Sequence, residues 1–328
     1  MFYLPNIWDQ FSIFYSTPSS QSFLKKAYTK RNIQDAEIKS FDNCYTFIYY
    51  LEQAKTYYDQ SKISPISIQP ILLFYGFVQL LKACVLTINP DYPESTAILA
   101  HGVSTRKRKK QHYEFLKDEI KIQKNGLFTH MAEKMFHMKH LEGEKITMSD
   151  LMGQVPEINS VFRFLTSSNH WIPISNNGID HNLDHKVLDL FHMSMERFST
   201  FLEEKINVNI SSLKNSNNTL SFQTGKKISY NHSGPIKYNL LTQHFYLSLN
   251  KSSNCFTYPE LLIHYLLLYN LSMIARYEIE WWYDVLKNMA SNDYPFIQQF
   301  LTHSIHKGPY LIYTWLHEQF DDLNLKEA

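Results

Sequence analysis

The stretch PILLFYGFVQLLKACVL, residues 70–86, is apolar on nearly every face of a helix. A second stretch, LLIHYLLLYNLSMIARY at 261–277, has the same character. Helices that are apolar all round must be surrounded by other elements. Neither stretch reaches about 18 uninterrupted apolar residues, and polar side chains such as Gln79, Lys82 and His264 disfavour a membrane span. We therefore predict two buried helices that pack together as the central pair of a helical core.

Composition limits the remaining fold and function classes. Hydrophobic residues make up 44% of the 328 residues and aromatic residues 15%, which excludes a disordered chain. Only nine glycines are present, which disfavours sandwiches, barrels and Rossmann domains. The chain contains no GxSxG, Walker or GxGxxG motif, which excludes the enzyme classes built on them. The formal net charge is +1, so affinity for a polyanion must come from a local cluster.

Cysteine usage and the N-terminus indicate a compartment. The three cysteines, Cys44, Cys84 and Cys255, are far apart and form no CxxC or zinc-ligand spacing. This pattern is typical of a reducing environment. The first residues lack the basic region of a signal peptide. We expect a cytoplasmic protein that associates with no membrane and holds no metal or cofactor.

The pattern along the chain changes once. Before residue 207, apolar residues recur mostly at helical spacing, with helices predicted at 109–121 and 184–204. Residues 207–254 are rich in Ser, Asn, Thr and Tyr, and their alternation predicts two to four short strands. We predict a mostly α fold with a small β-hairpin or sheet insert. Its parts are a helical region at 1–206, the insert at 207–254 and helices at 255–328 that complete the same core.

A cationic run follows the first apolar helix. His101-Gly102 precedes RKRKK at 106–110, and His112 comes two residues later. Arginine forks and lysine ammonium groups bind phosphate, although such a run is also typical of a solvated loop. An arginine that ends the second apolar helix would face an anionic ligand, neutralise a carboxylate or cap carbonyls. The candidate anion-binding residues are His101, Arg106, Lys107, Arg108, Lys109, Lys110 and Arg276.

Two groups of histidines have spacings that a divalent metal could use. The first comprises His130, His137 and His140 with Glu133, and the second is His181 with His185. No HExxH order is present, and methionines lie between the histidines of the first group. We interpret both groups as structural histidines.

Four segments resemble the YaaC-like family: LLFYGFVQLLKA at 72–83, DYPESTAILAHGVSTRKRKKQ at 91–111, QKNGLFTHMAEKMFHMKHLEGEK at 123–145 and ARYEIEWW at 275–282. The likeness covers most of the chain. It implies an intracellular bacterial protein without an established activity. Members tend to be encoded beside IMP dehydrogenase, which implies a purine-nucleotide context with that enzyme as a candidate partner.

A more distant resemblance is to HEPN helical domains, in which an aromatic-rich helix, a His-Gly loop and a further helix follow one another. It implies a HEPN-like core. It also implies a metal-independent ribonuclease, in which Arg106 would stabilise the phosphate and His112 would move a proton.

Three functions therefore remain open, and we favour the first, which requires no catalysis. In the first, the basic turn at residues 101–112 binds a phosphate-bearing ligand, either nucleotide or RNA, or an acidic partner. In the second, the chain is a ribonuclease that uses Arg106 and His112. In the third, the chain is a protein-interaction module that regulates an enzyme of nucleotide metabolism. A homodimer is compatible with each.

Overall fold

The computed structural model describes residues 6–105, 113–289 and 291–324. The chain forms two compact units, Met1–Met148 with His264–Ala328 and Ser149–Ile263. The helices are α1 (Ile7–Gln10), α2 (Thr17–Lys30), α3 (Ala36–Ile63), α4 (Gln69–Leu86), α5 (Leu127–Phe136), α6 (Met148–Gly153), α7 (Asn159–Thr166), α8 (Val187–Phe191), α9 (Met195–Ile206), α10 (Glu260–Tyr277), α11 (Ile279–Asn288) and α12 (Asp293–Asn324). The strands are β1 (Val103–Thr105), β2 (Glu119–Ile122), β3 (Lys145–Thr147), β4 (Trp171–Asn177), β5 (Asp180–Asp184), β6 (Ile210–Ser216), β7 (Thr219–Thr224), β8 (Ile236–Asn239) and β9 (His244–Ser248).

The predicted fold class is wrong. Helices account for 57% of the structure, but the strands form two antiparallel sheets, so the fold is mixed α/β. It is not a HEPN-like helical core with one small insert. Four strands lie inside the predicted 207–254 window, whereas β1 to β5 lie outside it. The second unit, Ser149–Ile263, is correspondingly longer than the predicted insert.

The first unit is built around α4. The side chains of Phe74, Phe77 and Leu81 are fully buried. From the α10 residues of this unit, Tyr265 and Tyr269 pack edge-on against the ring of Phe74, with centroids 5.5 Å away in each case. Among the described helices, α4 alone is long and apolar enough to cross a membrane, and 67% of it is buried inside the protein. A core helix passes the same test, so this composition carries no conclusion about a membrane.

A small sheet of order β1-β2-β3 belongs to the same unit. Val103 pairs with Ile122, and Ile120 pairs with Ile146. The helix predicted at 109–121 is wrong, because residues 115–117 form one 3-10 turn and β2 follows. Glu119-Ile120-Lys121-Ile122 alternates in burial, which is the period of a strand.

The second unit contains the larger sheet, of order β6-β7-β5-β4-β9-β8. Its apolar face packs on α8 and α9 through Leu183, Val187, Phe198 and Leu220, which are all buried. The continuous helix predicted at 184–204 is wrong. The chain leaves β5 at Asp184 and breaks again before Ser194, whose side chain accepts a hydrogen bond from the backbone N–H of Arg197 and caps α9.

Candidate functional site

One face of α4 carries three polar side chains in an otherwise apolar helix. Tyr75, Gln79 and Lys82 are spaced by four and three residues, which places them on one side of the helix. All three are half-buried. α3 runs antiparallel beside them, with the Tyr57 ring stacked on Tyr75 at 6.2 Å and the Lys82 Nζ 5.7 Å from the centroid of Tyr50. Tyrosines of α3 therefore flank both ends of this face.

Arg276, near the end of α10, lies at the Tyr75 end of the face. Its Nε donates to the Ser272 carbonyl at 3.1 Å, and its Nη1 donates to the Tyr75 hydroxyl at 3.0 Å. The guanidinium lies 5.7 Å from the ring centroid of Tyr75 and 5.2 Å from that of Tyr277. These contacts fix the plane of the guanidinium. None of them neutralises its charge.

His101 lies in the loop that leads into β1, and its ring packs against the same two helices. The ring centroid is 5.0 Å from that of Phe74 on α4 and 5.5 Å from that of Tyr269 on α10. Its carbonyl accepts hydrogen bonds from the Tyr265 hydroxyl at 2.8 Å and from the Phe128 N–H at 3.2 Å. Ring packing therefore holds the imidazole in place, and hydrogen bonds to the carbonyl hold the backbone of His101.

Two glycines allow this loop to approach the start of α5. Gly102 has φ +76 and Gly126 has φ +138. A Cβ on Gly126 would lie 2.2 Å from the Gly102 nitrogen and 2.8 Å from the Ala100 carbonyl oxygen. Because the backbones touch, the Ala100 carbonyl can accept a hydrogen bond from the Leu127 N–H at 2.7 Å. The loop thus satisfies the first free N–H groups of α5 with its own carbonyls.

Both burial and nearby cations affect the pKa of the His101 imidazole. Burial lowers the pKa of His101, and the positive charges of Arg276 and Lys82 lower it further. Burial also lowers the pKa of Lys82. In the parts of the chain that the structure describes, no carboxylate forms an ion pair with Lys82 or Arg276. The buried Gln79 Oε1 has no hydrogen-bond partner among those residues either.

We refer to this arrangement as the basic–aromatic strip. It comprises Lys82, His101, Arg276, Gln79, Tyr50, Tyr57, Tyr75 and Tyr277. Positive groups that are partly withdrawn from water and lack acidic partners interact more strongly with an incoming anion than fully solvated ones. The strip therefore has the chemistry of an anion site with aromatic walls.

The cationic run predicted as the centre of the site lies outside the described residues. This concerns Arg106, Lys107, Arg108, Lys109, Lys110 and His112. The positions that flank the run are described. β1 ends at Thr105, and the Tyr113 ring packs edge-on against Trp281 at 4.2 Å. The Tyr113 hydroxyl donates to Asp118, which also accepts from the Asn270 Nδ2 at 3.3 Å. The two described positions that flank the run, Thr105 and Tyr113, therefore both belong to the first unit.

Of the predicted anion-binding residues, the structure brings His101 and Arg276 together. Sequence reasoning missed Lys82, Gln79 and Tyr75. Lys82 and Gln79 were used only as arguments against a membrane span. Their shared helical face with Tyr75 was a usable signal, because polar residues three and four apart in a buried helix mark the side that is not covered by core.

The candidate metal-binding histidines have other partners. The His130 Nε2 lies 3.2 Å from the Asn89 Nδ2, and His181 contacts the Thr224 hydroxyl at 2.9 Å. His137 ends α5 in a left-handed conformation, so it does not share a helix face with Glu133. Within the described ranges, no three His, Cys, Asp or Glu side chains form a group suited to a metal ion.

Comparison with known proteins gives the family. No curated protein and no solved structure matches the chain. The sequence profile of the YaaC-like Protein family matches residues 12–316, which include both helices that frame the strip, the His101 loop and the whole second unit. The match spans nearly the entire sequence, and the chain therefore belongs to the YaaC-like family.

Proposed function

We propose that this protein binds a phosphate-bearing ligand, either a nucleotide or RNA, at the basic–aromatic strip. The observation that carries the proposal is the convergence of Lys82 and Arg276 on His101 with no carboxylate ion-paired to either cation among the described residues. Phosphate groups supply the missing negative charge. Their oxygens accept from the guanidinium and from the ammonium, and these charge-assisted bonds are the stronger class.

The proposal assigns binding rather than catalysis. The neutral form of His101 is favoured in the unliganded strip, because burial and the two nearby cations lower its pKa. The predicted purine-nucleotide role in the cytoplasm, with IMP dehydrogenase as partner, belongs to the same proposal as its cellular context. The run 106–110, a candidate from the sequence, would add further phosphate contacts.

The protein-interaction alternative loses one of its supports. A large flat aromatic surface around Trp281 and Trp282 would favour this function. Trp282 is only 1% exposed, and its indole N–H donates to the Ser67 carbonyl at 2.8 Å. Trp281 is half-buried against Tyr113. The tryptophan pair is therefore part of the packing in the first unit.

Charge-removing variants test the proposal. Binding of pyrophosphate, ATP and a twelve-nucleotide RNA would be measured by calorimetry at low and moderate salt. We expect Lys82→Gln combined with Arg276→Gln to weaken binding by tenfold or more, because charged hydrogen bonds contribute about 1.5–3 kcal/mol each. The matched control is Lys145→Gln, which removes an exposed charge from β3. Binding that survives in the double variant, or absence of binding by the wild type to all three probes, refutes the proposal.

A further inference from the structure

The positions that hold the two cations of the strip lie two turns apart on α4. Arg276 is hydrogen-bonded to Tyr75, and Lys82 lies seven residues further along the helix. Seven residues correspond to about 10 Å along a helix axis. A nucleic acid strand carries one phosphate per about 3.4 Å of stacked length, so up to about three nucleotides span these two positions. The strip thus fits a row of phosphates along α4.

Each cation is accompanied by an aromatic ring. Lys82 lies over Tyr50, and the Arg276 guanidinium lies between Tyr75 and Tyr277. Tyr277 is 66% exposed, and its ring is the most accessible of the four tyrosines of the strip. Proteins that bind single strands commonly combine positive groups for the phosphates with aromatic rings for the bases, because every base has a face that stacks.

We propose that the ligand of the strip is a single-stranded polynucleotide lying along α4, with phosphates at Lys82 and Arg276 and a base on Tyr277. This inference rests on the proposed phosphate-binding function and specifies its ligand. A duplex is disfavoured, because its bases are held in pairs inside the helix, whereas a single strand can turn one base out onto the tyrosine.

The inference makes affinity depend on ligand length. Fluorescence anisotropy would compare oligouridylates of one, three, six and twelve nucleotides, a twelve-nucleotide oligothymidylate, a twelve-base-pair duplex and polyglutamate. We expect the twelve-mers to bind at least tenfold more tightly than a mononucleotide, with duplex and polyglutamate well below them. Preference for the ribose or the deoxyribose strand identifies which nucleic acid is the source, and either preference supports the inference.

A tyrosine variant tests the stacking contact. Tyr277→Ala should weaken binding of the twelve-mer by about fivefold or more, in line with the loss of one stacked base. Tyr45→Ala is the matched control, because Tyr45 is 51% exposed on α3 and lies outside the strip. Equal effects of the two variants would overturn the stacking arrangement, and thermal melts of both variants separate this result from misfolding.

The outcomes distinguish the inference from the proposed function. If ATP and the twelve-mer bind equally well and both need Lys82 and Arg276, the polynucleotide inference is wrong and the phosphate-binding function stands. If polyglutamate or duplex binds as tightly as the single strand, the inference is also wrong, because the surface then recognises negative charge alone. If no phosphate compound binds, both fail.

Discussion

Replacing Gly126 by alanine should destabilise the first unit strongly, because two backbones meet at this position. A Cβ would lie 2.2 Å from the Gly102 nitrogen and 2.3 Å from its Cα. These are backbone atoms, so no side-chain rotation relieves the clash. Overpacking of this kind costs about 1–3 kcal/mol. The conformation at φ +138 and ψ −179 is essentially restricted to glycine and adds about 1–3 kcal/mol for any other residue. We expect a total loss of roughly 2–6 kcal/mol.

Gly143→Ala provides the matched control. Gly143 also has a positive φ, +86, but a Cβ there would meet no atom within 4 Å. This variant should lose only the conformational part, about 1–2 kcal/mol. Urea unfolding followed by tryptophan fluorescence measures both free energies. A difference below about 0.5 kcal/mol, the size of an ordinary surface effect, would refute the close approach of the His101 loop to α5. The same clash should displace His101, so phosphate binding should fall in Gly126→Ala and stay unchanged in Gly143→Ala.

Three further predictions follow from burial, titration and the cationic run. Leu266→Ala should cost about 2–5 kcal/mol in urea unfolding, because this α10 side chain is fully buried, and a loss under about 1 kcal/mol would show poor packing there. Burial lowers the pKa of His232 to about 4, so the folded state resists protonation. Stability should be complete above pH 6.5, the ordinary histidine value, and fall by up to about 3 kcal/mol as the pH drops towards 4. His232→Asn should flatten this part of the pH–stability curve, and an unchanged slope would assign the loss to other groups. If the chain cleaves RNA, cleavage by the wild type should survive EDTA, and Arg106→Ala and His112→Ala should each abolish it while leaving RNA binding largely in place. Absence of products with concentrated wild type would rule out the ribonuclease alternative.

The sequence predicts the elements whose pattern is long and unambiguous. α4 and α10 were found because they are apolar on nearly all faces. Their side chains Phe74, Phe77, Leu81, Leu266 and Leu271 in the first unit, and Leu262 in the second, are all fully buried. β1 and β3 have three residues each, which is too short for alternation to be distinguished from chance. The spacing of apolar residues in α8 continues across Ser194 into α9 with almost the same period. The sequence therefore did not predict the break between the two helices.

The candidate site was predictable only in part for a different reason. A run such as 106–110 is conspicuous in the sequence because its charges are adjacent. Lys82, His101 and Arg276 are separated by up to 194 residues, and only the packing of α4 against α10 brings them together. Arg276 was identified because it ends an apolar helix. Lys82 is a single charge in an apolar helix, and its importance depends on the neighbours that tertiary structure supplies.

The two cations beside His101 have a consequence for how binding would be observed. They disfavour protonation of the imidazole in the unliganded protein, together with burial. Phosphates that neutralise Lys82 and Arg276 remove this repulsion and raise the His101 pKa, so ligand binding near pH 6.5 should take up a proton from the buffer. The measured heat would then change with the ionisation enthalpy of the buffer, and His101→Gln should abolish that dependence. The protein would consequently bind its ligand more tightly as the pH falls.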